Sequence, residues 1–283
     1  MKKGIMLAFL TTLLAVSGCG KTNSSHEHQH MNHENMEQST NHEGMHHETE
    51  GTKNVVTQIA WKFADTSLKS HEPTKLTIQV SDKGGKPIQN FEIQHEKLMH
   101  LIVVSEDLSY FEHLHPEYKG NGSFTTAITF PSGGKYKLYA DYVPKGGSKV
   151  VKNYTVEVQG AKAKTVALKP DKNLTKVVAG KEITLSFDKL KAGREATLTF
   201  HFKDKKTGKS ITNLQPYLGA VGHVVIIREH SYDYLHVHPM DEQAKGPDAV
   251  FMVQFPKNGI YQIWAQFQHE GNVITVPFTV KVS

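Results

Sequence analysis

The sequence lacks several residue types and motifs, and each absence excludes a class of protein. Its 283 residues include one cysteine, Cys19, which rules out disulfide bonds within the chain and zinc ribbons built from cysteines. Arginine is scarce and the formal net charge of +5 is dispersed, so nucleic acid is an unfavourable partner. The only long apolar run lies near the N-terminus, which excludes a protein with many membrane spans. The sequence has no nucleophile elbow and no Walker loop, and it is not predicted to be an enzyme.

Residues 1–18 have the pattern of an export signal. Lys2 and Lys3 precede an apolar run, and small residues come before Cys19. The segment Val16-Ser17-Gly18-Cys19 resembles a bacterial lipobox, in which the cysteine thiol is acylated and becomes the first residue of the mature chain. The resemblance implies a lipid anchor on Cys19 that holds the protein at the extracytoplasmic face of the cell membrane. The alternative is an ordinary signal peptide with an incidental cysteine.

Residues 19–53 are predicted to be a disordered tether rich in histidine, methionine and glutamate. The stretch 26–50 has no branched aliphatic or aromatic residue, so it cannot bury enough apolar surface to become ordered. Its seven histidines are His26, His28, His30, His33, His42, His46 and His47. Imidazole is a common metal ligand, and the thioethers of Met31, Met36 and Met45 favour soft ions. The tether is therefore predicted to bind copper, with zinc second, while a plain hydrophilic spacer is the alternative.

The remainder of the chain is an internal duplication, with one repeat at residues 54–160 and a second at 161–283. The segment from His100 to Pro116 recurs 123 residues later as the segment from His223 to Pro239. Short segments that alternate apolar and polar residues fill both repeats, and turn residues separate them about every ten residues. This pattern predicts an all-β fold with two tandem immunoglobulin-like antiparallel β-sandwich domains after the tether.

Each repeat contains a predicted hairpin with three histidines. If EDLS is a four-residue turn, His100 lies opposite His115, and the same register in repeat two places His223 opposite His238. The third histidine of each hairpin lies on the same face, because side chains alternate with a period of two. The candidate ligands are His100, His113, His115, His223, His236 and His238. Three imidazoles on this footprint can reach one copper or zinc ion, although a structural polar cluster, or a register shifted by one residue, is the alternative.

Other histidines and methionines are weaker candidates. His95 and Met99 have no counterparts in repeat two, so they are expected to serve repeat one alone if they bind at all. Met99 precedes His100 in a strand and is expected to point to the opposite face. His230 and His269 occupy turns and are expected to be exposed and not to bind metal.

The stretches KLMHLIVVSEDLSYFEHLHP and YLGAVGHVVIIREHSYDYLHVHP resemble a family of exported bacterial proteins described as YtkA-like, with His-X-His-Pro segments. The resemblance implies β-sandwich modules linked to metal handling in the cell envelope, particularly of copper. Our leading hypothesis is therefore a lipid-anchored extracytoplasmic protein that buffers, captures or delivers copper or zinc, with a membrane metal transporter as a partner. The alternative is a non-enzymatic adhesion or assembly module, in which the tether is a spacer and strand edges bind a protein.

Overall fold

The structure is a computed structural model that describes residues 55–231 and 233–283. The described residues contain β-strands and no α-helix, which confirms the predicted all-β class with two repeated domains. The predictions for the export signal, Cys19 and the histidines of the tether concern residues that lie outside this description. No helix among the described residues has the length and hydropathy needed to cross a membrane.

Repeat one is an antiparallel β-sandwich of nine strands. These are β1 (Thr57–Phe63), β2 (Pro73–Asp82), β3 (Phe91–Glu92), β4 (Met99–Ser105), β5 (Phe111–Leu114), β6 (Glu117–Tyr118), β7 (Ser123–Thr129), β8 (Gly134–Pro144) and β9 (Val150–Val158). One sheet has the order β1-β2-β7-β6, and the other has the order β3-β8-β4-β5 with β9 also paired to β8. The repeat-one core lies between these two sheets and includes Leu76, Phe124 and Leu138.

Repeat two builds a second sandwich in the same way. Its strands are β10 (Thr175–Val178), β11 (Lys181–Phe187), β12 (Glu195–Asp204), β13 (His223–Arg228), β14 (Tyr234–Val237), β15 (Asp248–Gln254), β16 (Gly259–His269) and β17 (Asn272–Val282). The two sheets have the orders β10-β11-β12-β15 and β14-β13-β16-β17. Its core includes Phe200, Phe251 and Phe278.

The burial of each strand follows its sequence pattern. In β2 and β12 every second side chain is buried, as expected for strands with one face on a core and one face towards solvent. The strands β4 and β13 instead carry the uninterrupted apolar runs LIVV and VVII, and they are buried on both faces. One face of each belongs to the core of its own repeat, so the other face must be covered by something else.

The second face of β4 and β13 is covered by the other repeat. A third buried cluster, the inter-repeat core, consists of Ile102, Val104, Leu108, Tyr139, Val225, Ile227 and Trp264. Two ring stacks border it, Phe111 on Trp264 with ring centroids 4.8 Å apart and Tyr139 on Tyr234 with centroids 5.0 Å apart. Phe111 corresponds to Tyr234 and Tyr139 to Trp264 in the duplication, so the two stacks are equivalent contacts made in opposite directions. Both repeats accordingly belong to one compact unit.

Candidate metal centre

The histidine hairpins have the register that the sequence predicts. Leu101 pairs with Leu114 in repeat one, and Val224 pairs with Val237 in repeat two. One step further along each pair of strands, His100 is opposite His115 and His223 is opposite His238. His100 and His223 are each 1% exposed, because they continue the face of β4 and β13 that carries the inter-repeat core. The packing of the two repeats therefore brings both hairpins to one place.

The first group of imidazoles comes from repeat one. His100, His113 and His115 each present a ring nitrogen, and these three atoms lie within 4.8 Å of one another. The Nδ1 atom of His100 is 3.0 Å from the Nε2 atom of His113. Two nitrogen ligands at about 2.0 Å from a tetrahedral ion are about 3.3 Å apart, so the spacing of His100 and His113 matches that of two ligands of one ion.

The second group contains residues of both repeats. His236 and His238 of repeat two meet His95 of repeat one, again with their ligand nitrogens within 4.8 Å of one another. The shortest contact is 2.7 Å, between His95 Nε2 and His238 Nδ1. The expectation that His95 would serve repeat one alone is therefore wrong, because the turn from Gln94 to Lys97 places its ring against the partner repeat.

His223 lies between the two groups. Its ring centroid is 4.5 Å from that of His236, 4.7 Å from that of His95 and 5.1 Å from that of His100. Neither of its ring nitrogens has a hydrogen-bond partner among the described residues, although both are buried. Seven histidines thus form one cluster at the end of the inter-repeat core, and we call it the histidine cluster: His95, His100, His113, His115, His223, His236 and His238.

Hydrogen bonds around the rim of the cluster set the tautomers of three of its imidazoles. His100 Nε2 is 2.9 Å from the carbonyl oxygen of Gln94, and His113 Nδ1 is 2.8 Å from Oε1 of Gln266. His236 Nδ1 is 2.7 Å from Oδ2 of Asp141. Each of these oxygens accepts a hydrogen bond, so the ring nitrogen beside it carries the proton. The other nitrogen of each ring is left with a lone pair directed into the cluster, as in histidines that bind metal.

Two of these rim contacts cross between the repeats. Asp141 is in β8 of repeat one and bonds to His236 of repeat two, whereas Gln266 is in β16 of repeat two and bonds to His113 of repeat one. Asp141 and Gln266 occupy equivalent positions in the duplication, so the contacts are related by the same approximate symmetry as the ring stacks. Asp141 is 2% exposed and also forms an ion pair of 3.2 Å with Lys149.

Burial keeps the cluster histidines neutral near pH 7. Burial and, to a smaller extent, the neighbouring His113 lower the pKa of His100 to about 4. Burial likewise lowers the pKa of His113, His115 and His238 to about 4. The pKa values of His223 and His236 are well below the ordinary value, again chiefly because the rings are removed from water. Neutral imidazole is the form that binds a metal ion, so no proton has to leave most of these rings first.

The described histidines outside the cluster have other surroundings. His201 contacts Asp248 at 2.6 Å on the surface, and the side chain of His230 is exposed as expected. The expectation that His269 would be exposed is wrong: it ends β16, is 6% exposed, and its Nε2 atom lies 3.0 Å from Oδ1 of Asn213. Met99 is buried in the repeat-one core, on the face of β4 opposite to His100, as the alternation predicts.

A family model matches residues 53–160 and 176–283, one copy for each repeat. The chain belongs to the DUF8832 family. That family is described as a domain of unknown function, so membership assigns no activity to the histidine cluster. No curated protein matches the sequence.

Several solved structures show a distant likeness to the chain. The adhesin FdeC of Escherichia coli is 15% identical over 80% of this chain and 64% of its own, with a TM-score of 0.28. The adhesin InvE of Yersinia pseudotuberculosis is 12% identical over 78% of this chain and 58% of its own, with a TM-score of 0.25. Two fibronectin type III domains of chicken tenascin are 13% identical over 79% of this chain and 97% of their own, with a TM-score of 0.23. The chain thus spans less than two thirds of either adhesin, and a likeness this distant carries no argument about function.

Proposed function

We propose that this protein binds transition-metal ions in the histidine cluster at the contact between its two repeats. The observation that carries the proposal is the convergence of unprotonated imidazole nitrogens. His100 Nδ1 and His113 Nε2 are 3.0 Å apart, and each ring has its proton on the opposite nitrogen. Two lone pairs at this distance repel each other unless a cation lies between them. A buried structural cluster would instead pair each nitrogen with a donor or an acceptor.

Unpaired nitrogens elsewhere in the cluster support the same conclusion. The Nε2 atoms of His115 and His236 are buried without a hydrogen-bond partner among the described residues, as are both nitrogens of His223. Leaving a buried polar atom unpaired costs about 1–3 kcal/mol, so a group of them at one place needs a compensating ligand. Metal ions in the cluster would accept one lone pair from each of these three rings.

The ligand type favours copper, with zinc second. The cluster offers imidazole nitrogens, which suit divalent copper, zinc and nickel, and copper binds most tightly in this series. Among the described residues, the carboxylate of Asp141 also contacts a ring of the cluster, and it does so at His236 Nδ1. The two three-histidine groups, with His223 between them, provide ligands for two ions.

We propose the wider role that the sequence suggests. In this role Cys19 carries a lipid anchor, and the tether collects copper or zinc at the extracytoplasmic face of the membrane. The histidines of the tether would hold ions weakly and raise their concentration near the histidine cluster. Buffering, capture or delivery to a membrane transporter would then follow from the difference in affinity between the tether and the cluster.

A second candidate is a non-enzymatic adhesion or assembly module. The observation in its favour is architectural, because the described residues form two tandem sandwiches in which β1 and β10 are edge strands. An edge strand offers free backbone groups to which a partner protein can add a strand. This candidate does not explain the buried, unpaired imidazole nitrogens.

The experiment is a metal titration on the tether variant, which is the full chain with the seven tether histidines changed to glutamine. We expect this variant to retain up to two copper or zinc ions, measured by mass spectrometry of the metal content and by competition with a chromophoric chelator. The cluster variant, in which His113 and His236 are also changed to glutamine, should lose tight metal binding. The matched control is His201→Gln with His230→Gln, which removes two histidines outside the cluster and should leave the metal content unchanged.

Two results would contradict the proposal. One is the absence of bound metal in the tether variant at micromolar free copper and zinc. The other is equal loss of metal in the cluster variant and in the control variant. Either result, with the far-ultraviolet circular dichroism unchanged, would favour the adhesion module.

A further inference from the structure

A cavity opens beside the repeat-two side of the histidine cluster. Its volume is about 570 Å³, and its lining includes His236, His238, Met240, Met252 and Lys149. We call it the methionine cleft. His236 and His238 are therefore shared between the cleft and the second group of the cluster.

Strand register places one histidine and two methionines on one face of the cleft. Pro239 pairs with Phe251, and the N–H of Met240 donates to the carbonyl oxygen of Val250 at 2.8 Å. Continued by one residue, this antiparallel register sets His238 opposite Met252. Met240 is two residues beyond His238 and so lies on the same face. Opposed residues have Cβ atoms about 5 Å apart and diagonal neighbours about 7 Å, which are distances that long side chains can bridge.

Neither methionine is explained by packing. Met240 is 62% exposed and Met252 is 47% exposed, whereas Met99, the remaining methionine of the described residues, is fully buried in the repeat-one core. The duplication does not account for them either, because Glu117 and Ala127 occupy the equivalent positions in repeat one. Both exposed methionines of the described chain thus border the same cavity as two histidines of the cluster.

We propose that Met240, Met252 and His238 form a capture site for a soft monovalent cation, namely Cu(I) or its analogue Ag(I). Thioether sulfur is a neutral, polarisable ligand that selects soft ions, and one imidazole completes a neutral set of three. The ammonium of Lys149 is paired with Asp141 and so adds no net charge to the wall of the cleft.

The capture site leads into the histidine cluster through His238. The Nδ1 atom of His238 is 2.7 Å from His95 Nε2, within the second group of imidazoles. An ion held by the methionines can therefore exchange sulfur ligands for nitrogen ligands without leaving the protein, and without a change of oxidation state. This inference rests on the proposed function of the cluster and names the cation that reaches it from the cleft.

The test is nuclear magnetic resonance of the full chain with methyl-¹³C methionine. The seven tether histidines are changed to glutamine and Met31, Met36 and Met45 to leucine, so that the tether contributes no ligand. We expect Ag(I), added in chloride-free buffer, to shift the methyl signals of Met240 and Met252, while the signal of Met99 stays unchanged. Zinc, a harder ion, should move neither exposed methionine.

The matched variant is Met240→Leu with Met252→Leu, which keeps the side-chain size and removes both sulfurs. Its affinity for Ag(I) should fall by at least ten-fold, and its affinity for zinc should stay within two-fold. Met99→Leu is the control, and it should change neither affinity. Since both cleft methionines are exposed, the double variant should fold as the parent does.

The outcomes separate this inference from the proposed function. If Ag(I) leaves both methyl signals in place while the histidine cluster still binds zinc, the capture site is overturned and the proposed metal binding by the cluster is supported. If the double variant loses zinc and Ag(I) to the same extent, the selectivity for soft ions is overturned. If no metal binds to any variant, both proposals fail, and the exposed methionines belong to an apolar docking surface.

Discussion

At the scale of single residues, Asp141 decides how firmly His236 can hold an ion. Its carboxylate accepts a hydrogen bond from the N–H of His236 Nδ1 at 2.7 Å, which fixes the ring and makes Nε2 more basic. Asp141→Asn keeps an oxygen acceptor but removes the charge. We expect affinity for zinc or Cu(II) at the second group to fall by about 10–100-fold, the range found when such outer partners of metal ligands are replaced. Competition with a chromophoric chelator measures the change.

The control for Asp141→Asn is Asp248→Asn. Asp248 contacts His201 at 2.6 Å, a carboxylate–imidazole pair of nearly the same length as Asp141–His236 (2.7 Å) and outside the histidine cluster. This substitution should leave both metal affinity and metal content unchanged. A similar loss of affinity in the two variants would show that Asp141 acts through the overall charge of the protein and not through His236.

The sequence predicts six of the seven cluster histidines, and the reason is local. Duplication identifies the hairpins, and the period of two in a strand sets which of their side chains share a face. Asp141 and Gln266 are missed and His95 is assigned to the wrong repeat, because each acts on the opposite repeat and no periodicity within a strand reports contacts between domains. The weak signal for Asp141 and Gln266 is that each is a polar residue between an alanine and an aromatic residue, at equivalent positions of the two repeats.

At the scale of strands, β4 presents two neighbouring residues to different cores. Leu101 faces the repeat-one core and Ile102 faces the inter-repeat core, and both are fully buried. Substitution of either by alanine should lower the free energy of unfolding by about 2–5 kcal/mol. Only Ile102→Ala should also weaken metal binding several-fold, because it loosens the contact that holds the two hairpins together. Urea unfolding and chelator competition on the same samples check both parts, and equal metal affinity in the two variants would contradict the second.

The runs LIVV and VVII also show how far strand prediction extends. They depart from the alternating pattern on which the strand prediction rests, because the strands that carry them are buried on both faces. What covers the second face cannot be derived from either run, since any apolar surface would serve equally well. The matching aromatic residues, Phe111 with Trp264 and Tyr139 with Tyr234, provide that surface only once the repeats are packed against each other.

At the scale of the whole molecule, a metal ion held by both repeats should stabilise the fold. A ligand that binds only the folded state adds about 2.7 kcal/mol to the free energy of unfolding when its free concentration is a hundred times its dissociation constant. We expect zinc to raise the midpoint of thermal unfolding of the tether variant accordingly. The variant that also carries His113→Gln and His236→Gln should show no such rise. Calorimetry checks this, and an unchanged midpoint in the tether variant would contradict binding in the cluster.

The metal-free protein should lose stability in acid, because folding buries histidines in their neutral form. Burial lowers the pKa of His100, His113 and His115 to about 4 in the folded state, whereas an unfolded chain has values of about 6.5. Between these values the unfolded state binds more protons, so the free energy of unfolding falls as the pH drops from about 6.5 towards 4. Above pH 7 the same groups do not change the free energy of unfolding as the pH rises. The loss is measured by urea unfolding with a chelator present, at several pH values from 7.5 to 4.5 (roughly the window set by these pKa values). The variant with His113→Gln and His236→Gln should show a flatter dependence, and equal slopes would mean that other groups unfold the protein in acid.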